Sequence, residues 1–253
     1  MATVTLRGVR KSFGGMEIIH GVDLDIDDNE LTVFVGPSGC GKSTLLRLIA
    51  RLEPLQRGRV EIDGLDLAST PTERLALAMA VMGQQTQIAS RLRVAELVGF
   101  GRWPHHQGRP RPADREAVEN ALEAFGLGPL RHRFLDEISG GQAQRAHLAM
   151  TFAQGPNWLL LDEPLNNLDM QHSVQMMQQL RRAADELGRT VVIVLHDINF
   201  AAHYADRIVA MGDGQVVETG TPAEILRPEV LERIFKTPCS VVDGPHGPLA
   251  VYY

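Results

Sequence analysis

Two kinds of apolar pattern divide this chain. Val4-Thr5-Leu6 and Val22-Asp23-Leu24-Asp25-Ile26 alternate apolar with polar residues, the mark of strands buried on one face. Leu31-Thr32-Val33-Phe34-Val35 is instead a short apolar run that stops at a glycine-rich turn, and a helical stretch from Ser43 to Leu52 follows. Trp158-Leu159-Leu160-Leu161 and Val191-Val192-Ile193-Val194-Leu195 are apolar throughout. Such runs predict parallel strands covered by helices on both faces. Between them Val174, Met177, Leu180, Ala184 and Leu187 recur at steps of three or four, and Gly188 is a natural stop. That segment reads as the helix of a βαβ unit. From about Leu92 to Phe152 the chain reads mostly as helix, and the Pro-, His-, Arg- and Gly-rich stretch Arg102 to Arg115 reads as a loop. The pattern predicts an α/β fold whose parallel-sheet core is interrupted by a helical subdomain.

Composition narrows the picture. The 253 residues suit one large domain, or a core carrying a subdomain, and 44% hydrophobic residues suffice for a sizeable interior. A net charge of -6 gives no global drive toward nucleic acid. Two cysteines, Cys40 and Cys239, make no disulfide framework and fit a reducing compartment. The start, Met1 to Arg7, lacks a basic segment followed by an apolar run and predicts no signal peptide. No apolar stretch approaches the roughly 20 residues of a membrane helix. Work at a membrane would require another subunit to hold this one there.

The chemistry concentrates in three places. Gly36-Pro37-Ser38-Gly39-Cys40-Gly41-Lys42-Ser43, followed by Thr44, matches the phosphate-binding P-loop pattern in full and sits between a strand and a helix. Its glycines let backbone N–H groups close around phosphate oxygens, and the helix start adds a favourable dipole. Lys42 supplies a cation to the β- and γ-phosphates, and the Ser43 hydroxyl suits Mg²⁺. Cys40 reads as a small tolerated residue, not a nucleophile. Asp162-Glu163 ends the apolar run from Trp158. With a P-loop upstream, Asp162 is placed for Mg²⁺ and Glu163 for general-base work on the attacking water. Ser139-Gly140-Gly141-Gln142 precedes a second helical run, Ala143 to Phe152. It is either an ordinary serine cap or a second anion site. If it is a site, it serves another nucleotide, or the same one from a partner chain.

In this order the motifs resemble those of ABC transporter ATPases: Walker A at Gly36–Ser43, the signature Ile138-Ser139-Gly140-Gly141-Gln142, and Walker B at Leu159–Glu163. Asn166-Asn167-Leu168-Asp169 resembles the D-loop, and His196 follows the strand Val191–Leu195 as the switch histidine does. The resemblance spans nearly the whole chain. It implies a P-loop core with an antiparallel β portion, an inserted helical subdomain, and a head-to-tail dimer with two ATP molecules between the copies. Each ATP would lie on one chain's P-loop and the other chain's signature. Phe13, in Lys11-Ser12-Phe13-Gly14, matches the aromatic that stacks on adenine. Gln84 matches the Q-loop glutamine that reaches Mg²⁺ and senses the permease, with Gln85 a possible substitute. Asp169 belongs to the implied nucleotide set, and His196 would stand near the γ-phosphate. The implied division is a single cassette over 1–253. Its core is 1–87 and 156–235, its helical subdomain 88–155, and its tail 236–253.

Some positions depart from the common pattern. Ile138 stands for Leu, Met82-Gly83 for Leu-Pro, Asn166 for Ser or Thr, and Met150 for Arg. None removes a catalytic group. The stretches Val94 to Val98, Gly101 to His105, Leu135 to Ala146, Asp162 to Met170 and Leu195 to Ala201 are similar to importer ATPases of the siderophore group. The expectation is an ATP-hydrolysing importer subunit for an iron(III)–siderophore complex, peripheral on the cytoplasmic face of the membrane. Its implied partners are a permease and, indirectly, a binding protein. Alternatives are import of haem or cobalamin, or a soluble ATPase of iron–sulfur cluster assembly. His105, His106 and the arginines near them read as a solvated loop, not as a metal or nucleic-acid site.

Overall fold

The computed structural model describes residues 3–83, 91–166, 168–245 and 247–252. The chain opens with β1 (Thr3–Phe13), β2 (Met16–Asp27) and β3 (Leu31–Val35), then α1 (Lys42–Ile49), β4 (Arg57–Ile62), β5 (Leu65–Asp66), α2 (Thr72–Ala78) and β6 (Met79–Met82). A helical stretch follows: α3 (Val94–Phe100), α4 (Trp103–His106), α5 (Pro112–Ala124) and α6 (Gly140–Gln154). The remainder is β7 (Trp158–Asp162), α7 (Met170–Leu187), β8 (Thr190–Val194), α8 (Ile198–Tyr204), β9 (Arg207–Gly212) and β10 (Gln215–Gly220). After these come α9 (Pro222–Ile225), α10 (Pro228–Phe235), β11 (Ser240–Gly244) and β12 (Gly247–Val251).

The apolar runs became the centre of a six-stranded sheet ordered β10-β9-β3-β8-β7-β6. Every pairing in it is parallel except β10 with β9. All five residues of β3, β7 and β8 are buried. Alternate side chains point to opposite faces, so Val33, Leu159 and Ile193 enter one core with α3, α5, α6 and α7. Phe34, Leu160 and Val192 enter another with α1 and the second sheet. That second sheet, β2-β1-β4-β5, is antiparallel and holds the alternating segments. The fold is therefore the expected α/β core with an antiparallel portion. Trp158 is fully buried, and its indole N–H donates to the Asp63 carboxylate at 3.1 Å, tying the two sheets.

The stretch Arg102 to Arg115, expected as a solvated loop, is corrected. Pro112 starts α5, because its missing N–H is no loss at the first helical position. Asp114 accepts from the Arg111 N–H at 2.8 Å and pairs with Arg102 at 3.0 Å, both side chains being largely buried. Arg102 also donates to the carbonyls of Ala153 and Gln154, and His105 Nε2 donates to the Gln154 carbonyl at 2.7 Å. Together these donors cap the C-terminus of α6, where free carbonyls attract the Arg102 charge. Trp103 stays exposed, edge-on to His106. Residues 236–253, expected as a tail, carry the β11–β12 hairpin, and Ala250 is buried in the main core. Among the described residues no helix is long and apolar enough to cross a membrane.

Candidate active site

The β3-to-α1 connection is built for close approach by a ligand. Gly36 has φ 142°, and a Cβ there would meet the Met211 carbonyl oxygen at 2.1 Å. Gly41 caps α1 with φ 103° and no side-chain hydrogen bond, leaving the first N–H groups of the helix open. Lys42 is buried, and its ammonium donates to the carbonyls of Gly36 and Pro37 at 2.8 and 2.9 Å. Cys40 is buried under the same loop, its sulfur 3.8 Å from Lys42 Nζ. A cleft of about 360 Å³ is lined by Ser38, Gly39, Gly41, Lys42, Ser43, Thr44, Glu163 and His196, with Ile18 at its edge.

β7 delivers the acidic pair. Ser43 Oγ donates to Asp162 Oδ1 at 2.6 Å, and Arg47 Nε lies 3.5 Å from Oδ2. Oδ2 is buried and has no hydrogen-bond partner. Burial pushes the Asp162 carboxyl above the usual range, against the Ser43 and Arg47 contacts. A buried carboxylate oxygen that makes no hydrogen bond and has only the more distant Arg47 charge beside it, next to a hydroxyl, is a hard oxygen set that fits Mg²⁺. Glu163 follows in the left-handed region at φ 51°, a conformation that costs a non-glycine residue of order 1–3 kcal/mol. Two contacts hold it there: His196 Nε2 donates to Oε1 at 2.8 Å, and Asn166 Nδ2 donates to Oε2 at 2.6 Å. With a carboxylate as acceptor, His196 carries its proton on Nε2. Gln144, buried in α6, donates to the Pro164 carbonyl at 2.6 Å and anchors the turn after Glu163.

Phe13 ends β1 beside the Gly14-Gly15 turn, with its ring exposed. It does not line the cleft. Lys11 is buried; its ammonium stands 4.8 Å from the Phe13 ring centroid, donates to the Pro54 carbonyl at 2.9 Å and pairs with Glu53 at 3.1 Å. The Gln56 amide bonds both backbone groups of Ser12, at 2.7 and 3.0 Å. The strand end that carries Phe13 is therefore pinned on both sides.

Ser139, Gly140, Gly141 and Gln142 lie away from the cleft, at the start of α6. Ser139 Oγ accepts from the Gln142 N–H, and Gln142 Oε1 accepts from the Ser139 N–H. This is a reciprocal capping box. Asp169 caps α7, accepting from the His172 N–H and from Nδ1, which holds its carboxyl below the usual range. Gln84, its neighbour Gln85, and Asn167 lie outside the described residues. Sequence reasoning missed Arg47, Lys11, Gln56 and Gln144. Two of these left a signal: Arg47 stands one helical turn after Ser43, and Lys11 shares a strand face with Phe13. Gln56 is 44 residues from Ser12 and left none.

A P-loop on a parallel sheet, with an acidic pair at the end of β7 two strands away, defines a nucleoside-triphosphatase. Residues 19–166 match the family described as ABC transporter. The petrobactin import ATP-binding protein FatE of Bacillus anthracis is 42% identical over 98% of this chain and 100% of its own length. The iron(3+)-hydroxamate import ATP-binding protein FhuC of Bacillus subtilis (strain 168) is 36% identical over 92% of this chain and 87% of its own. Among solved structures, the ATP-binding cassette MJ0796, a dimer in a post-hydrolysis state bound to ADP and Pi, superposes with TM-score 0.79 and 29% identity. That match covers 87% of this chain and 98% of the other. This chain belongs to the ABC transporter family and is one of its ATP-hydrolysing cassettes.

Proposed function

We propose that this chain energises uptake of an iron(III)–siderophore complex through a partner permease. The observation that carries the cargo class is the full-length similarity to a petrobactin import ATP-binding protein, 42% identical over 98% of this chain and 100% of that protein. The P-loop N–H groups and Lys42 bind the β- and γ-phosphates, and Phe13 stacks on adenine. Mg²⁺ would be held by Ser43 and Asp162, with Gln84 as a further ligand, and when bound neutralises phosphate charge. Glu163 takes the proton of the attacking water as general base, and His196 and Asn166 orient its carboxylate. His196 also faces the γ-phosphate. The signature at Ser139–Gln142 and Asp169 act on the nucleotide of a second copy in a head-to-tail dimer. Exposed Leu77, Phe100 and Trp103, on α2, α3 and α4, supply apolar surface for the permease. That partner would hold the chain on the cytoplasmic face of the membrane.

The test is labelled-iron uptake in a strain lacking this chain, under iron limitation, with purified siderophores supplied one at a time. Loss of uptake for one siderophore, restored by wild type but not by Glu163→Gln, is expected. Normal uptake of every siderophore would overturn the cargo reading and leave the ATPase standing.

A further inference from the structure

We propose that the C-terminal hairpin β11–β12 is a positioning element for hydrolysis and acts on the switch histidine through Asn199. This rests on the reading of His196 as part of the catalytic apparatus. The Asn199 side chain donates from Nδ2 to the Ala250 carbonyl at 3.2 Å and accepts the Ala250 N–H on Oδ1 at 2.8 Å. Both backbone groups of one β12 residue are thus paired with one amide, as a neighbouring strand would pair them. Ala250 stands opposite Val241 in the hairpin and is itself buried. Asp197, which caps α8, accepts the Asn199 and Phe200 N–H groups at 2.7 and 3.3 Å. His196 is the residue immediately before that cap.

Three features give the contact its consequence. First, α8 has only seven residues, too few to hold its own shape, so neighbouring packing sets its position. Ile198 and Ala201 fix its inner side to the sheet core, and the polar contacts of Asn199 fix it to β12. Second, a cavity of about 240 Å³ is shared by Pro37 of the P-loop, His196, Ile198, Cys239, Ala250 and Tyr252. The end of the chain therefore borders the same space as the switch histidine and the phosphate loop. Third, the His196 side chain is half exposed. Its direction follows from its contact with Glu163 and from the backbone that the α8 cap holds. A small rotation of α8 would swing Nε2 away from Glu163, and misplacement of about 1 Å in a catalytic constellation is costly in rate.

The two variants approach the contact from opposite sides. Asn199→Ala removes both hydrogen bonds, and Ala250→Pro removes the N–H that Asn199 accepts. Steady-state ATPase of the full chain, binding of a fluorescent ATP analogue, and thermal melting are measured for each, with kinetics well below the melting temperature. The expected result is kcat lower by about tenfold, with KM and analogue affinity within twofold of wild type, because the P-loop and Phe13 are untouched. A kcat within twofold of wild type for Asn199→Ala, whatever the melting temperature, would reduce the contact to scaffolding and overturn the proposal. So would a rise in KM that accounts for the whole effect. His196→Ala separates the underlying reading: full activity there sinks the catalytic role of His196 and this inference with it. An inactive His196→Ala beside a fully active Asn199→Ala sinks the inference alone.

Discussion

The two glycine-bearing helix starts of this chain are built in opposite ways. At α1 the fold itself demands glycine. Gly36 lies against the Met211 carbonyl, Gly41 is left-handed, and Lys42 is sunk among loop carbonyls. At Gly140, the first residue of α6, nothing among the described residues does. Gly140 has helical backbone, and a Cβ there would meet no atom within 4 Å. Ser139 and Gln142 already cap each other at the surface. The first start forms a cleft by itself. The second is an open, capped face, where a glycine leaves room for another molecule to approach the backbone closely. The contrast supports nucleotide contact at α6 from across a dimer interface.

The comparison breaks most sharply at Glu163, which belongs to the α1 cleft alone. Glu163→Gln should keep ATP binding and slow turnover by roughly 10²–10⁴, measured as single-turnover hydrolysis beside nucleotide binding. Normal turnover would remove the general-base role. Next, Gly140→Ala should leave folding stability within about 0.5 kcal/mol while lowering dimer-dependent ATPase about 100-fold, because the added Cβ would hold a reacting phosphate off the preorganised N–H donors, an effect on the scale of losing one such donor. Full activity would make α6 an ordinary capped helix. Gly36→Ala should do the reverse in order: its first effect is a loss of stability of about 1–3 kcal/mol from strain and the carbonyl clash, read by chemical denaturation.

Smaller effects refine the same contrast. Gln56→Ala frees Ser12 and should raise KM for ATP about threefold, the scale of one net hydrogen bond, while sparing kcat and the binding of tripolyphosphate, which has no base to stack. The smallest concerns the far end of α6. The Asp114 carboxyl is held low by the Arg111 N–H and then by Arg102. Its contribution is complete above the unfolded carboxyl value near about 4 and is lost as pH falls through the depressed folded value. Asp114→Asn should therefore flatten the acid limb of the stability curve and leave neutral-pH kinetics unchanged.

The sequence displayed the parallel sheet clearly, because strands buried on both faces cannot hide their apolar runs. The P-loop was equally legible, since its residues are contiguous. The stretch from Arg102 was misread because proline reads as a breaker, although at the first turn it starts a helix. Arg102 is drawn inward by the carbonyls that end α6 and by Asp114, partners that composition does not reveal. The hairpin at 240–251 was hidden for another reason. Its pairing partner on α8 is a side-chain amide 51 residues away, and no periodicity marks such a contact.

The two tryptophans make a built-in pair of optical reporters. Trp158 is sealed between the sheets against Asp63, so its emission should be blue and should redden only when the core opens. Trp103 is 54% exposed on the helical face, edge-on to His106, so its emission should be red and sensitive to iodide. Binding at that face would shift one band without the other, and the molecule would report docking and unfolding as separate colours.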